Sequence, residues 1–303
     1  MLDSLVMKNE YPFQGKFLQL GPLKYHYLDE GAGDPVVMLH GNPSWSFYYR
    51  HLVRELRSDY RVIVPDHIGC GLSDKPADSL YSFTLKQRVD DLDALLDHLN
   101  LRSNITLVVH DWGGMIGMAY ATRYPERIAR LVILNTAAFH LPKSKPLPSA
   151  LRICRDTQFG AFLVQGFNIF ARGAALVGCK RNRMSSELRK AYCAPYDCWQ
   201  HRVATLRFVQ DIPLQEGDSG YDIVSDVEEN LQQFSTLPIC ICWGEKDFVF
   251  DRHFLDEWRR HLPDAEIHSF ADCGHYILED AKAEVIPIIR QFLTENPLKA
   301  QSA

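Results

Sequence analysis

The sequence lacks the features that define several classes of protein. None of its 303 residues belongs to an uninterrupted apolar run long enough to cross a bilayer, and the nearest run, 105–121, is broken by His110 and Asp111. The eight cysteines are irregularly spaced and include no C-x-x-C pair, so free thiols are predicted. Cys240 and Cys242 alternate within an apolar run and are expected on opposite faces of one strand.

Charge and targeting signals are also sparse. Thirty-three Lys and Arg face 38 Asp and Glu, and the net charge of −5 argues against a nucleic-acid or anionic-membrane partner. The block "CKRNR" at 179–183 is interpreted as a solvated loop. The N-terminal "MLDSLVMKNEYPF" has no apolar signal core, which predicts a cytoplasmic protein. Phosphate-loop and dinucleotide fingerprints and helical histidine pairs are missing, so neither a cofactor nor a metal is expected.

Short apolar runs rich in β-branched residues alternate with helical patterns. This rhythm is typical of βαβ units and predicts an α/β protein with a mainly parallel sheet. A hairpin edge is predicted from Lys16–Leu20 and Leu23–Asp29, which flank "GP". The other predicted strands are Val36–His40, Arg61–Pro65, Ile105–His110, Arg130–Asn135, Ile239–Trp243 and Glu266–Phe270.

Strand patterns vanish between about residues 136 and 236 and resume at Leu237. An insertion of this kind predicts a helical cap domain, 136–236, over a core domain made of 1–135 and 237–303. The cap is apolar enough to serve as an association surface for an oligomer or a multi-enzyme assembly. Its phenylalanines are assigned mostly to the cap's own core; they are Phe159, Phe162, Phe167 and Phe170.

The segment "VVHDWGGMIG", 108–117, has the form of a nucleophile elbow between a strand and a helix. The reactive position holds Asp111 instead of serine, and Gly113 and Gly114 relieve crowding at the turn. Free N–H groups at the start of the helix are expected to favour the carboxylate form of Asp111. An aspartate can also be a simple helix cap, but the flanking sequence favours the nucleophile.

Three other segments complete a catalytic constellation. "HGNP", 40–43, follows a strand and predicts an oxyanion hole formed by the backbone N–H groups of Asn42 and Trp112. His275, in "CGHY", is the expected general base because it comes last in the order nucleophile, acid, base. Asp247, after the strand Ile239–Trp243, is the expected acid, and Asp251 is a weaker candidate.

A carboxylate nucleophile points to a particular chemistry. It is ionised at neutral pH and needs no base to attack. Attack on a carbonyl would give a reactive anhydride, whereas attack on a saturated carbon with a leaving group gives a stable alkyl ester. His275 can then activate a water that hydrolyses this ester at the Asp111 carbonyl. Alkyl halides, epoxides and strained lactones are substrates of this kind.

These motifs closely resemble the haloalkane dehalogenases of the α/β-hydrolase superfamily over nearly the whole chain. The resemblance implies an eight-stranded, mostly parallel sheet with an inserted helical cap. It also implies that the side-chain N–H groups of Asn42 and Trp112 bind the departing halide, with a small apolar substrate and a halide ion as product. Hydrolytic dehalogenation of haloalkanes is therefore the main functional prediction.

The same subfamily contains the β-lactone decarboxylases of long-chain olefin biosynthesis. "VPDHIGCGLSDKP", "LNTAAF" and "YCAPYD" are similar to those proteins, so decarboxylation of a β-lactone to a cis-alkene is the alternative. Two further hypotheses remain. An epoxide hydrolase would need two cap tyrosines, for which Tyr192, Tyr196 and Tyr221 are candidates. A non-catalytic ligand-binding module would usually have lost a triad member.

Overall fold

The computed structural model describes residues 9–298, and its strands lie close to their predicted positions. There are eight strands, and the central ones are apolar along their length because both faces of the sheet are covered there. Their bounds are β1 Lys16–Leu20, β2 Leu23–Glu30, β3 Pro35–Leu39, β4 Arg61–Pro65, β5 Ile105–Asp111, β6 Ile128–Thr136, β7 Ile239–Gly244 and β8 Glu266–Phe270.

The eight strands form one sheet in the order β1-β2-β4-β3-β5-β6-β7-β8. β1 and β2 pair antiparallel as the predicted hairpin, and β2 pairs antiparallel with β4. All remaining pairs are parallel. The predicted eight-stranded, mostly parallel sheet is confirmed. β5, which carries Asp111 at its carboxyl end, lies between β3 and β6 and is buried along its whole length.

Helices cover both faces of the sheet and divide its core into two layers. In β3, Val37 and Leu39 pack into one apolar cluster, whereas Val36 and Met38 pack into the other. The helices are α1 Arg50–Leu56, α2 Leu85–His98, α3 Trp112–Arg123, α4 Ser149–Asp156, α5 Gln158–Phe167, α6 Ile169–Val177, α7 Ser186–Cys193, α8 Val203–Gln210, α9 Tyr221–Asn230, α10 Arg252–His261, α11 Ile277–Asp280 and α12 Lys282–Glu295.

The alternation along β7 corrects one expectation. Cys240 and Cys242 point to the same face, with sulfur atoms 4.0 Å apart, and not to opposite faces as predicted. Side chains in a strand repeat every two residues, so positions i and i+2 share a face. All eight cysteines are free thiols, as predicted, and Cys193 and Cys198 are only half-buried.

The segment between β6 and β7 contains helices and no strand, from α4 to α9. This is consistent with the proposed cap at 136–236. The expectation for its phenylalanines is wrong in part. Phe159, Phe162 and Phe167 are 66%, 51% and 56% exposed, whereas Phe170 lines a cavity. The cap is thin here: Val164 of α5 is buried against α8, and this leaves the outer side of α5 without cover.

No single helix within residues 9–298 is long and apolar enough to cross a membrane. Only α5 and α6 taken together have the required length and composition, and the pair is bent by 75°. The break falls at Asn168, which adopts a left-handed conformation with φ of 55°.

A buried ion pair joins the core to the cap. The Arg50 guanidinium binds Glu279 (Nη2 to Oε2, 3.1 Å), and the hydroxyl of Tyr192 in α7 donates to the same carboxylate at 2.6 Å. Arg50 also binds Glu10, which is partly exposed. The carboxylate of Glu279 thus compensates a cation that has almost no contact with solvent.

We expect Glu279→Ala to lower the free energy of unfolding by about 3–5 kcal/mol. The substitution leaves the buried Arg50 charge with the partly exposed Glu10 as its remaining ion-pair partner. Urea denaturation at pH 7 measures this change. Glu284→Ala removes an exposed partner of Arg181 and should change the free energy by no more than about 0.5 kcal/mol. Equal effects of the two substitutions would contradict this account.

Candidate functional site

Asp111 lies at the sharp turn between β5 and α3. Its φ is 51° and its ψ is −128°, a strained combination for a residue with a side chain. The strand and helix can approach this closely because the next residues are glycines. A Cβ atom at Gly113 would overlap the carbonyl oxygen of Leu39, and one at Gly114 would overlap Thr136. Asp111 makes no N-cap hydrogen bond to α3, so the cap-only interpretation has no support.

The Asp111 carboxylate is buried and receives backbone N–H groups. The N–H of Asn42 donates to Oδ1 at 2.6 Å. Burial raises the pKa of Asp111, while the His275 charge and the N–H groups of Trp112 and Asn42 lower it. The net pKa is raised, which differs from the expectation that the helix terminus would favour the carboxylate. The N–H contributions are present, but burial outweighs them.

His275 and Asp247 meet beside Asp111. His275 Nδ1 lies 2.8 Å from Asp247 Oδ2, and its Nε2 faces Asp111 Oδ2 at 3.7 Å. Burial lowers the pKa of His275, but the attraction of Asp247 and Asp111 outweighs burial, and the net pKa is raised. Asp251 is not at this site: it binds Lys145 and caps α10.

Asn135 is a further functional residue, which the sequence analysis named only as the end of a predicted strand. It lies at the carboxyl end of β6 with φ of 24°. Its side-chain amide donates to Asp247 Oδ2 at 3.1 Å and to the Gly244 carbonyl at 2.9 Å. Asn135 therefore holds Asp247 in position for His275. Its position at the carboxyl end of a predicted central strand was the sequence signal that could have pointed to a role at the site.

Two side-chain N–H donors lie next to the nucleophile. Asn42 and Trp112 both line the cavity that contains Asp111. Asn42 Nδ2 donates one N–H to the Thr205 carbonyl at 3.0 Å, which leaves its second N–H available. The indole N–H of Trp112 has no acceptor within the described part of the chain. Both uncharged donors can therefore bind an anion that forms beside Asp111.

Asp111 and His275 open into one cavity of about 340 Å³ between the sheet and the cap. Such a volume is at the lower end of the ~300–1,000 Å³ range for small-molecule sites. The wall is mostly apolar and includes Met115, Phe139, Leu151, Phe170, Val209 and Phe250. The cavity therefore suits an alkyl substrate whose reacting carbon faces the carboxylate.

None of the candidate tyrosines lines this cavity. Tyr192 donates to Glu279, and Tyr196 donates to the Ser44 carbonyl at 3.3 Å. The ring of Tyr221 packs against His140. The two acids that an epoxide hydrolase needs beside its substrate are therefore not among these residues.

One group of side chains within residues 9–298 has the spacing of metal ligands: Asp197, Cys198 and His201. It lies at the start of the turns between α7 and α8 and does not line the cavity. Its members are partly exposed, and the Asp197–His201 pair (2.6 Å) and the contact of Asp197 with the adjacent Cys198 account for their proximity.

Comparison with known proteins places this geometry in a family. The profile of the alpha/beta hydrolase fold matches residues 34–174. A cis-3-alkyl-4-alkyloxetan-2-one decarboxylase from Shewanella oneidensis is 62% identical, over 98% of this chain and 92% of its own length. A haloalkane dehalogenase from Mycolicibacterium paratuberculosis is 32% identical, over 91% of each chain.

A solved structure agrees on the fold. The crystal structure of the haloalkane dehalogenase DatA from Agrobacterium tumefaciens superposes with a TM-score of 0.84, covering 94% of this chain and 97% of its own. Its sequence identity of 24% supports the fold alone. The predicted α/β-hydrolase fold is thus confirmed. This chain is an enzyme of the α/β-hydrolase superfamily, and it belongs to the family that contains the haloalkane dehalogenases and the cis-3-alkyl-4-alkyloxetan-2-one decarboxylases.

Proposed function

We propose that this enzyme decarboxylates cis-3-alkyl-4-alkyloxetan-2-ones, four-membered β-lactones with two alkyl arms. The observation that carries the proposal is the Asp111 carboxylate at the nucleophile position, open to an apolar cavity. The 62% identical relative supports a lactone over a halide as substrate. The alternative drawn from the sequence is therefore preferred to the main prediction of dehalogenation.

In the first step, Asp111 attacks the ring carbon that bears the 4-alkyl arm. The bond between this carbon and the ring oxygen breaks, which relieves the ring strain. An alkyl ester with Asp111 forms, and a free carboxylate remains on the neighbouring carbon. The side-chain N–H groups of Asn42 and Trp112 stabilise this new negative charge.

In the second step, the new carboxylate leaves as carbon dioxide. Its electron pair forms the carbon–carbon double bond and expels the Asp111 carboxylate, so the enzyme is regenerated without water. Back-side attack places the ester anti to the carboxylate, which is the geometry that fragmentation needs. Inversion followed by anti elimination keeps the two alkyl arms cis. In this cycle His275 stabilises the departing Asp111 carboxylate, and Asp247 orients His275.

Oxygen labelling tests this proposal. The protein is incubated with a cis-3,4-dialkyl β-lactone in ¹⁸O-water for many turnovers, and the peptide containing Asp111 is then weighed by mass spectrometry. We expect equal amounts of alkene and carbon dioxide and no label in Asp111, because water attacks no atom of the ester. Labelled Asp111 together with a hydroxy acid would instead indicate hydrolysis and would contradict the proposal.

Haloalkane hydrolysis is a second candidate. The pair of uncharged donors, Asn42 and Trp112, suits a departing halide as well as a carboxylate. Displacement would give the same kind of Asp111 ester, and His275 would then activate a water for its hydrolysis. A medium-chain bromoalkane in ¹⁸O-water should place label in Asp111, since the water attacks its carbonyl carbon. The ratio of the two kcat/KM values ranks the two substrates.

The pH dependence of bromide release tests the role of Asp247. His275 must be neutral to accept a proton from water, and its pKa is raised above 6.5. Hydrolysis should therefore decline as the pH falls through a value above 6.5. Asp247→Asn removes a charge that raises this pKa, so the decline should move to lower pH. The maximal rate should also drop by on the order of 10⁴-fold, because the correct tautomer of His275 is lost.

Asp251→Asn is the matched control for this measurement. Asp251 is the weaker acid candidate after β7, and it pairs with Lys145 and does not contact His275. Its pH profile should match that of the unmodified enzyme. If the pH profile moves with Asp251→Asn and not with Asp247→Asn, the acid that orients His275 is Asp251, and the assignment to Asp247 is wrong.

A further inference from the structure

The net charge of −5 conceals a strong segregation of charge along the chain. Residues 141–210, from the loop after β6 to the end of α8, contain 12 Lys and Arg but only three Asp and Glu, a net charge of +9. The other 21 basic and 35 acidic residues give −14. No acidic residue occurs between Asp156 and Glu187. An acidic core therefore carries a basic cap segment.

Exposed apolar side chains concentrate in the same segment. Within residues 9–298, eleven large apolar side chains are exposed, and eight of them lie between 153 and 199. We call this set the cap patch; it comprises Ile153, Phe159, Phe162, Phe167, Ile169, Leu176, Val177 and Trp199. The rings of Phe167 and Trp199 lie 5.7 and 6.2 Å from that of Phe162, so three of the four aromatic members form one cluster.

Basic side chains without acidic partners accompany the cap patch. Arg152 on α4 and Arg172 on α6 are exposed, and neither forms an ion pair with another described residue. Lys143, Arg183 and Lys190 are exposed in the same segment and likewise form no ion pair within residues 9–298. These cations are therefore free to bind anions from outside the molecule.

Two members of the cap patch also line the catalytic cavity. Ile169 and Val177 line the cavity and are also 37% and 41% exposed. They lie on one side of α6 with Gly173, which also lines the cavity. Phe248, 38% exposed, lines the cavity from the core side. A molecule that reaches Asp111 past these residues comes from the surface that the patch forms.

We infer that the cap patch binds the surface of an anionic lipid bilayer, with α5 and α6 lying in the plane of the interface. Paired apolar helices with exposed phenylalanines and a tryptophan, flanked by lysines and arginines, have the composition of interfacial anchors. The 75° bend prevents α5 and α6 from crossing as one straight helix but allows both to lie flat. The positive cap segment complements anionic head groups.

The nature of the proposed substrate also favours a membrane over another protein as the partner of the cap patch. The choice of substrate rests on the proposed function: a lactone with two alkyl arms, and the alkene made from it, partition into lipid. An entrance that faces the bilayer lets both move without passing through water. The binding experiment below requires no turnover, so its result is independent of the chemistry assigned to Asp111.

Vesicle co-sedimentation tests the inference. Purified full-length protein is mixed with vesicles of phosphatidylglycerol and phosphatidylcholine in equal amounts, or of phosphatidylcholine alone. We expect at least about tenfold tighter binding to the anionic vesicles. Raising NaCl from about 0.01 M to about 1 M shortens the Debye length from ~30 Å to ~3 Å and should remove most of that difference. Trp199 is the only exposed tryptophan among five, so its emission should shift to the blue on binding.

Paired variants test whether binding requires the cap patch or results from nonspecific contact with any exposed apolar side chain. Phe159→Ser with Phe162→Ser should weaken anionic-vesicle binding at least about tenfold, because both rings are lost from the interface. The control is Phe17→Ser, which removes a 53% exposed ring from edge strand β1, outside the cap, and should bind like the unmodified protein. Arg152→Glu with Arg172→Glu should weaken binding to anionic vesicles without changing binding to neutral ones. Equal thermal unfolding midpoints confirm that the variants are folded.

Three outcomes would overturn the inference. The first is equal binding to anionic and neutral vesicles. The second is a Phe159/Phe162 double variant that binds as tightly as the Phe17 control. The third is a protein that self-associates in ultracentrifugation without lipid, becomes monomeric when Phe159 and Phe162 are replaced, and does not bind vesicles. That result would assign the cap patch to a protein–protein interface.

Discussion

Asp111→Ala should abolish both alkene formation from a β-lactone and bromide release from a bromoalkane, with a loss of at least about 10⁴-fold in kcat. Both proposed reactions begin when this carboxylate bonds to a saturated carbon, and no other carboxylate lines the cavity within residues 9–298. Gas chromatography of the alkene and a halide assay measure the two rates.

The loss should occur without unfolding. Burial raises the pKa of Asp111 in the folded protein. A carboxyl group whose folded pKa is raised favours folding when protonated and opposes it when ionised. At pH 7, removal of the carboxylate should therefore leave the free energy of unfolding unchanged or higher. Asp111→Asn is a weaker test, because a water activated by His275 can convert the amide back to the acid.

Retained turnover by a folded Asp111→Ala protein would refute the assignment of the nucleophile. A loss of turnover accompanied by unfolding would instead show that Asp111 supports the fold. Far-ultraviolet circular dichroism and the urea midpoint distinguish these results.

His275→Phe should slow the turnover of a haloalkane far more than the turnover of a β-lactone. With a bromoalkane, the first displacement proceeds but hydrolysis of the ester loses its general base, worth about 10²–10⁴-fold. The enzyme should release one bromide per active site and accumulate an alkyl adduct on Asp111. With a β-lactone, fragmentation of the ester consumes no water. Alkene formation should therefore continue over many turnovers, slowed only by the loss of the charge beside Asp111.

His268→Phe is the control for this comparison. His268 is a partly exposed histidine on β8 that binds Glu266, away from the cavity. It should leave both reactions unchanged. A His275→Phe variant that stalls on the β-lactone after one turnover, with an adduct on Asp111, would mean that water is required in that reaction as well, and the fragmentation step would be wrong.

The sequence determined the sheet and the order of the catalytic segments. Strands in a sheet covered on both sides must be apolar along their whole length, so β3, β5 and β7 stand out as short runs bounded by turns. Motif spacing also predicted the candidate site residues Asp111, Asn42, Trp112, Asp247 and His275, because each of them ends or follows a strand at the carboxyl edge where parallel strands end.

Several features depended on contacts between segments far apart in the chain. The orientation of Asp247 by Asn135 joins residues 112 positions apart. Whether burial or N–H groups dominate the pKa of Asp111 depends on how deeply the folded protein buries the carboxylate. Neither the contact of Asn135 with Asp247 nor the net shift of the Asp111 pKa can be read from a local sequence pattern.

The phenylalanines of α5 show most clearly that a local sequence pattern does not determine tertiary contacts. Helical periodicity tells which residues share a face, but it does not tell what that face meets. Phe159 and Phe162 remain more than half exposed, and only packing distinguished a buried cap core from an exposed surface. The sequence by itself determined the fold and the residues proposed for the site. The tertiary structure decided which apolar residues line the cavity and which face the surroundings, because burial depends on elements that are distant in sequence.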